Sequence, residues 1–122
     1  LGDGAYFTPT LIAGVEPDTE IFQEEVFGPV LVSRTFEDED EAVALANGTD
    51  YALMAAVWSR DSSRVHRLAA RISAGQVYAN AYGAGGGVEY PFGGFGKSGY
   101  GREKGYESLD AYTATKTVLV SL

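Results

Sequence analysis

Apolar and polar positions follow two rhythms along this chain, and the order of those rhythms sets the expected architecture. Tyr6–Ile12 is aromatic and β-branched and contains Pro9, which predicts an edge strand, and Glu16-Pro17-Asp18-Thr19 predicts the turn that follows. Val30–Phe36 starts as a continuous apolar run and passes into alternation, the pattern of a largely buried strand. The period then changes. Ala42, Val43, Leu45 and Ala46 mark one helical face, with Gly48 as a C-terminal cap and the acidic run Glu37–Glu41 directly ahead of it. Negative charge at a helix start is favourable by a few tenths to about 1 kcal/mol.

The alternation of elements continues. Leu53–Ser59 is a short apolar run and reads as a strand, and Asp61 is a natural N-cap for a helix through Ser73. Val65, Leu68, Ala69 and Ile72 fall at i, i+3, i+4 and i+7, Gly75 closes the helix, and Gln76–Asn80 forms the next strand. Short strands separated by helices predict βαβ units, hence an α/β fold with a mostly parallel sheet and helices on both faces. Ligands in such sheets bind beyond the carboxyl ends of strands. That rule favours Asn80, which ends its strand, over Leu53, which heads its own, and makes the glycine-rich segment after Asn80 a site wall.

Composition narrows the class. At 122 residues and 45% hydrophobic content the chain can bury roughly two thirds of its unfolded surface, enough for one globular domain. A formal charge of −8, from 17 acidic against 9 basic residues, argues against nucleic acid, whose phosphates need clustered Lys and Arg. No apolar run approaches the roughly 18 residues of a membrane span, and the first residues lack the pattern of a signal peptide. A cytoplasmic protein with no membrane partner is expected. The absence of cysteine excludes disulfides, cysteine-rich zinc sites and a thiolate nucleophile within these residues, and the single His66 makes no multi-histidine metal site. His66 reads as a surface residue among Arg64, Arg67 and Arg71. Leu1 leads directly into strand-like sequence with no initiator Met, which predicts a piece of something longer.

The segment Glu24-Glu25-Val26-Phe27-Gly28-Pro29 carries the most specific chemistry. In extended backbone, side chains two apart share a face. A carboxylate at 25 can accept hydrogen bonds from two ribose hydroxyls, and a phenyl ring at 27 can lie against a planar, cationic heterocycle. Oxidised nicotinamide riboside offers both groups. A solvated charge beside a core residue entering a strand satisfies the same six letters, so both readings stand at this point.

Other motifs carry less. Gly96-Lys97-Ser98 ends like a P-loop, but Pro91 stands where its first glycine belongs. Gly94-Phe95-Gly96-Lys97-Ser98-Gly99 has dinucleotide-binding spacing, yet Tyr90-Pro91-Phe92 precedes it instead of a strand, and no long helical pattern follows directly. The ten glycines between Gly83 and Gly105 describe a loop that turns tightly and passes close to a ligand or another backbone, with Phe92 and Phe95 as anchors. The acidic run lacks the glycine and terminal glutamate of a calcium loop. Asn47-Gly48-Thr49 matches a glycosylation acceptor only by accident in a chain without a secretory signal.

In order, these segments resemble the C-terminal part of the NAD(P)-dependent aldehyde dehydrogenase superfamily. The resemblance runs through Phe7-Thr8-Pro9-Thr10-Leu11, Glu24 to Pro29, Ala46-Asn47, Tyr51-Ala52-Leu53, Ala74-Gly75-Gln76-Val77, Asn80, Pro91-Phe92-Gly93-Gly94, Lys97-Ser98-Gly99, Gly101-Arg102-Glu103 and Tyr112-Thr113. It implies that residues 1–113 are the closing part of a catalytic domain and that 114–122, with the alternating Thr115–Val120, form a strand that helps to join subunits of a homo-oligomer. It further implies a cofactor, NAD or NADP, with Glu25 on the nicotinamide ribose hydroxyls, Phe27 beside the nicotinamide ring and Leu53 at the same end. Phe92 would stand where the cofactor cleft meets the substrate tunnel, and the loop from Tyr82 to Val88, including Gly83, Ala84 and Gly85, would line that tunnel. Asn80 and the segment around Arg102 and Glu103 are implied to be structural. Two departures stand out: Ala52 replaces a frequent glycine beside Leu53, and Gly83–Gly87 lacks the aromatic side chain many members present to the substrate.

The implied reaction oxidises a small-molecule aldehyde to a carboxylic acid. A cysteine thiolate attacks the carbonyl, hydride leaves the thiohemiacetal for the nicotinamide, and a glutamate-activated water hydrolyses the thioester. In the family both groups lie upstream of this stretch, so no residue here takes a catalytic role and the 122 residues alone are expected to be inert. A non-catalytic member of the fold and a stand-alone partner-binding module are the alternatives.

Overall fold

The computed structural model describes residues 3–83 and 87–122; Ala84 and Gly85 lie outside the described residues. Where chain length predicted one domain, the molecule divides into two compact units, Leu1–Asp50 and Tyr51–Leu122. Each has its own buried valine pair: Val15 and Val43 in the first, Val57 and Val65 in the second.

In the first unit, β1 (Thr10–Ala13) and β2 (Val30–Ser33) pair in parallel, Thr10 opposite Val30 and Ala13 opposite Ser33. Both are shorter than expected. Pro9 and Pro29 stand just before the first pair and neither has an N–H to give a ladder. Pairing therefore opens with the Thr10 N–H donating to the Pro29 carbonyl at 2.9 Å, and Tyr6 and Phe7 remain exposed. At the other end Gly14, at φ +68°, turns β1 away, and the Gly14 and Val15 N–H groups both donate to the Ser33 carbonyl. Among the described residues Arg34–Phe36 is thus left without a partner strand.

A one-turn helix, α1 (Glu20–Gln23), lies in the connection between these strands. The second helix, α2 (Glu39–Ala46), starts ahead of the apolar face that predicted it, because the acidic run is its first turn. Asp38 is the N-cap and accepts the Glu41 N–H at 2.8 Å, while the Glu41 carboxylate accepts the Glu37 N–H at 2.8 Å. Asn47 caps the C-terminal end. The Gln23 Nε2 group donates to the Pro17 and Gly48 carbonyls, at 2.6 and 2.9 Å, and so fastens α1 to the end of α2.

The second unit contains β3 (Met54–Val57), α3 (Ser62–Arg71) and β4 (Gln76–Ala79). Its strands are parallel, with Met54 opposite Gln76 and Val57 opposite Ala79, and α3 packs on both. Asp61 is the expected N-cap, accepting the Arg64 N–H at 3.2 Å. Gly75 has a different role from the one its position suggested. Ile72 caps α3, and Gly75 is where two backbones nearly touch: a Cβ there would fall on the Gly93 carbonyl. A 3-10 helix, Tyr106–Ala111, follows the glycine-rich loop. Among the described residues the expected strand at Thr115–Val120 has no neighbour, and Val118, Leu119 and Val120 are exposed. A strand needs a partner for its backbone groups. The parallel pairing is as predicted; among the described residues it takes the form of one strand pair in each unit.

Candidate functional site

The six-residue motif links α1 to β2. The Val30 N–H donates to the Gly28 carbonyl at 2.8 Å, closing a three-residue turn around Pro29. Immediately before this turn Phe27 takes φ +53°, the left-handed region that a bulky side chain rarely enters. Its ring is 93% exposed. Left-handed backbone costs a non-glycine residue roughly 1–2 kcal/mol, and burial of the ring offsets none of it. The alternation argument for Glu25 and Phe27 thus needs correction, because it assumed extended backbone at 27. The two residues are nevertheless neighbours on the wall of one depression of about 280 Å³, floored by Val30 and Val32. A turn brings them there.

Leu53 and Phe92 meet in the second unit, on a cavity of about 720 Å³ that also touches Gly93, Tyr100, Lys104 and Tyr112. The cavity lies by the amino ends of β3 and β4, whereas the carboxyl-end rule had pointed to the Asn80 end of the pair. The loop leaves the carboxyl end of β4 and is tied back at the opposite end by three bonds. Gln76 Nε2 donates to the Pro91 carbonyl at 2.8 Å, the Phe95 N–H to the Ala52 carbonyl at 3.2 Å, and the Ala52 N–H to Ser98 Oγ at 3.0 Å. The same Ala52 carbonyl accepts the Gly75 N–H at 3.1 Å. Alanine at 52 needs no glycine-like conformation, since among the described residues the non-glycine positions with positive φ are Phe27, Asn80 and Lys104.

Phe92 is fixed by its backbone. It exchanges two hydrogen bonds with Glu103, Phe92 N–H to Glu103 carbonyl at 2.6 Å and Glu103 N–H to Phe92 carbonyl at 2.7 Å. Arg102 supports the adjoining turn, donating from Nη1 to the carbonyls of Gly94 (3.1 Å) and Gly101 (2.6 Å) with its guanidinium 4.6 Å from the centre of the Phe95 ring. Tyr82 is exposed, and neither it nor Gly83 lines the cavity. Asn80, at φ +51°, bonds through its side-chain amide to Ser59. Glu25 and Phe27 belong to one unit, Leu53 and Phe92 to the other.

Sequence reasoning missed Lys104. Its Nζ lies 5.5 Å from the centre of the Phe92 ring, and its backbone is left-handed at φ +60°. A basic residue before Gly105 in a glycine-rich stretch carries no periodicity that would reveal it. No helix among the described residues is long and apolar enough to cross a membrane.

Comparison with known proteins bears directly on these segments. Residues 1–118 match the family described as the aldehyde dehydrogenase family. The NADP/NAD-dependent aldehyde dehydrogenase PuuC of Escherichia coli (strain K12) is 45% identical over 121 residues, 99% of this chain and 24% of that protein. The 4-trimethylaminobutyraldehyde dehydrogenase of Rattus norvegicus is 43% identical over 122 residues, 100% of this chain and 24% of that protein. Among solved structures, a mutant of the indole-3-acetaldehyde dehydrogenase AldA of P. syringae in complex with NAD+ and IAA superposes with a TM-score of 0.89 at 44% identity, covering 96% of this chain and 23% of that one. The chain thus spans about a quarter of the length of the curated relatives it matches, 24% of both PuuC and the rat enzyme. With 118 of its 122 residues inside the family's pattern, the chain belongs to the aldehyde dehydrogenase family.

Proposed function

We propose that these residues supply the nicotinamide-side contacts and part of the aldehyde tunnel of an enzyme that oxidises an aldehyde to a carboxylic acid with NAD+ or NADP+. The observation that carries the reading is Phe27: a phenyl ring held almost entirely in solvent by strained backbone, beside a carboxylate, on the wall of a depression. Backbone strain of this kind clusters where a ligand is held. The ring and the carboxylate are the two groups that a flat cationic heterocycle on a ribose diol requires, so the residues present fit that cofactor.

Glu25 would accept the ribose hydroxyls and Phe27 would cover one face of the ring, with Leu53 against the same end. When bound, the cofactor supplies the hydride acceptor. Phe92 would divide cofactor cleft from tunnel, and Tyr82 and Gly83 would stand further along the tunnel wall. Residues 114–122 would pair with another subunit in a homo-oligomer. With no cysteine in the chain, the attacking thiolate and the base that activates the hydrolytic water come from elsewhere in the protein, and the 122 residues alone are inert.

The test is kinetic. The purified chain should give no aldehyde-dependent reduction of NAD+ or NADP+, and the full-length protein carrying it should. Glu25→Gln in the full-length protein should raise the KM for the cofactor about tenfold through loss of charge-assisted bonds. Reduction by the chain alone would overturn its inertness, and a full-length protein inactive with every aldehyde tried would overturn the reading as a whole.

A further inference from the structure

Three features fix Lys104 at the cavity beside Phe92. The residue before it, Glu103, is locked by the pair of backbone bonds to Phe92, and the residue after it, Gly105, donates its N–H to the Val88 carbonyl at 2.7 Å. Lys104 takes φ +60° and Gly105 follows at φ +61°, a backbone region glycine adopts without strain and lysine does not. Its ammonium rests 5.5 Å from the centre of the Phe92 ring, within cation–π reach. The side chain is therefore directed by the loop, and it lines the 720 Å³ cavity shared by Leu53 and Phe92.

Among the described residues that line this wall, Lys104 is the cation left to meet a ligand. Arg102 is engaged with the Gly94 and Gly101 carbonyls and the Phe95 ring. Glu103 also lines the cavity, and among the described residues its carboxylate forms no ion pair with Lys104. Tyr100 and Tyr112 also line the cavity and each can donate a hydroxyl hydrogen bond to an anion, whereas the Ser108 hydroxyl donates to the Gly105 carbonyl at 2.9 Å.

We propose that Lys104 is a specificity-determining residue that selects aldehydes bearing a carboxylate, pairing its ammonium with the anionic end of the substrate. The inference rests on the reading of Phe92 as a wall of the aldehyde tunnel. A lysine here distinguishes an anionic aldehyde from a neutral one of equal length because the neutral tail leaves the ammonium with only its ring contact.

The experiment compares 4-oxobutanoate with butanal as substrates of the full-length protein. Lys104→Met should lower the ratio of kcat/KM for 4-oxobutanoate to that for butanal about tenfold, the loss of one charged hydrogen bond, with the change in KM for 4-oxobutanoate. Lys104→Arg should restore most of the ratio, and the melting temperatures of both variants would show that each folds. An unchanged ratio in Lys104→Met, with both aldehydes still oxidised, overturns the specificity role and leaves the dehydrogenase reading intact. Failure of the unmutated full-length protein to oxidise 4-oxobutanoate, with another aldehyde still oxidised, also overturns the specificity role, and inactivity with every aldehyde tried removes both.

Discussion

The side-chain amide of Asn80 bonds both backbone polar groups of Ser59: Nδ2 donates to the carbonyl at 3.0 Å and Oδ1 accepts the N–H at 2.9 Å. The β3–β4 ladder ends at Val57 and Ala79, and the Asn80 N–H still donates to the Val57 carbonyl at 2.9 Å. The amide then stands in for the next residue of a strand while the main chain, at φ +51°, turns away. Asparagine combines tolerance of that φ with a donor and an acceptor on one short side chain. Asn80→Ala should destabilise the chain by about 1–2 kcal/mol, the sum of two modest hydrogen bonds. Asn80→Asp, which keeps only the acceptor, should fall between alanine and the unmutated residue in urea unfolding.

Phe27 should separate stability from binding. Phe27→Gly relieves left-handed strain and uncovers no core, so the free energy of unfolding should rise by roughly 0.5–1 kcal/mol after the entropic cost of glycine. The same change removes the ring and should weaken cofactor binding about tenfold in the full-length protein. Paired denaturation and cofactor-titration curves check this, and a loss of stability on Phe27→Gly would show that the ring packs.

Gly75 distinguishes a close approach from a helix cap. A methyl group there would strike the Gly93 carbonyl, and its other near neighbour is the Leu53 carbonyl at 3.2 Å, both backbone groups that cannot rotate aside. Gly75→Ala should therefore cost about 3 kcal/mol or more. A cost below about 1 kcal/mol, the ordinary difference between glycine and alanine, would contradict the contact.

Much of this architecture was legible in the sequence, and the exceptions share a cause. The β3–α3–β4 unit was readable because its stripe, its Asp61 cap and its short apolar strands agree with one another. The acidic run was readable as favourable charge at the start of α2, but that its Glu39–Glu41 form the first turn and Asp38 the cap shows only in the structure. One turn is too short to show a period, so Glu20–Gln23 gave no signal, and Thr19 turns its hydroxyl back to the Glu16 carbonyl at 2.6 Å instead of capping the helix. Glu25 and Phe27 in one unit, and Leu53 and Phe92 in the other, were singled out from the sequence and each pair lines one depression, but the geometry of neither pair was readable. Left-handed backbone at Phe27 and Lys104 is imposed by flanking turns and hydrogen bonds, and nothing in an aromatic or a lysine side chain favours it.

The chain by itself should associate. Leu11 and Leu31, opposite one another across β1 and β2, are 63% and 66% exposed, and Leu119 is 91% exposed. Apolar surface and unpaired strand edges of this kind seek cover, and light scattering at roughly tens of micromolar should report species larger than a monomer. A monodisperse monomer would contradict this expectation.

The doubly bonded Ala52 carbonyl has a mechanical consequence. One oxygen holds both the start of β4, through Gly75, and the glycine-rich loop, through Phe95, and the next residue along is Leu53. Moving the loop at Phe95 disturbs an oxygen that also holds Gly75, the residue just before the first residue of β4. The two hydrogen bonds share one acceptor, so the end of the loop and the base of the strand pair are joined at a single backbone atom of Ala52.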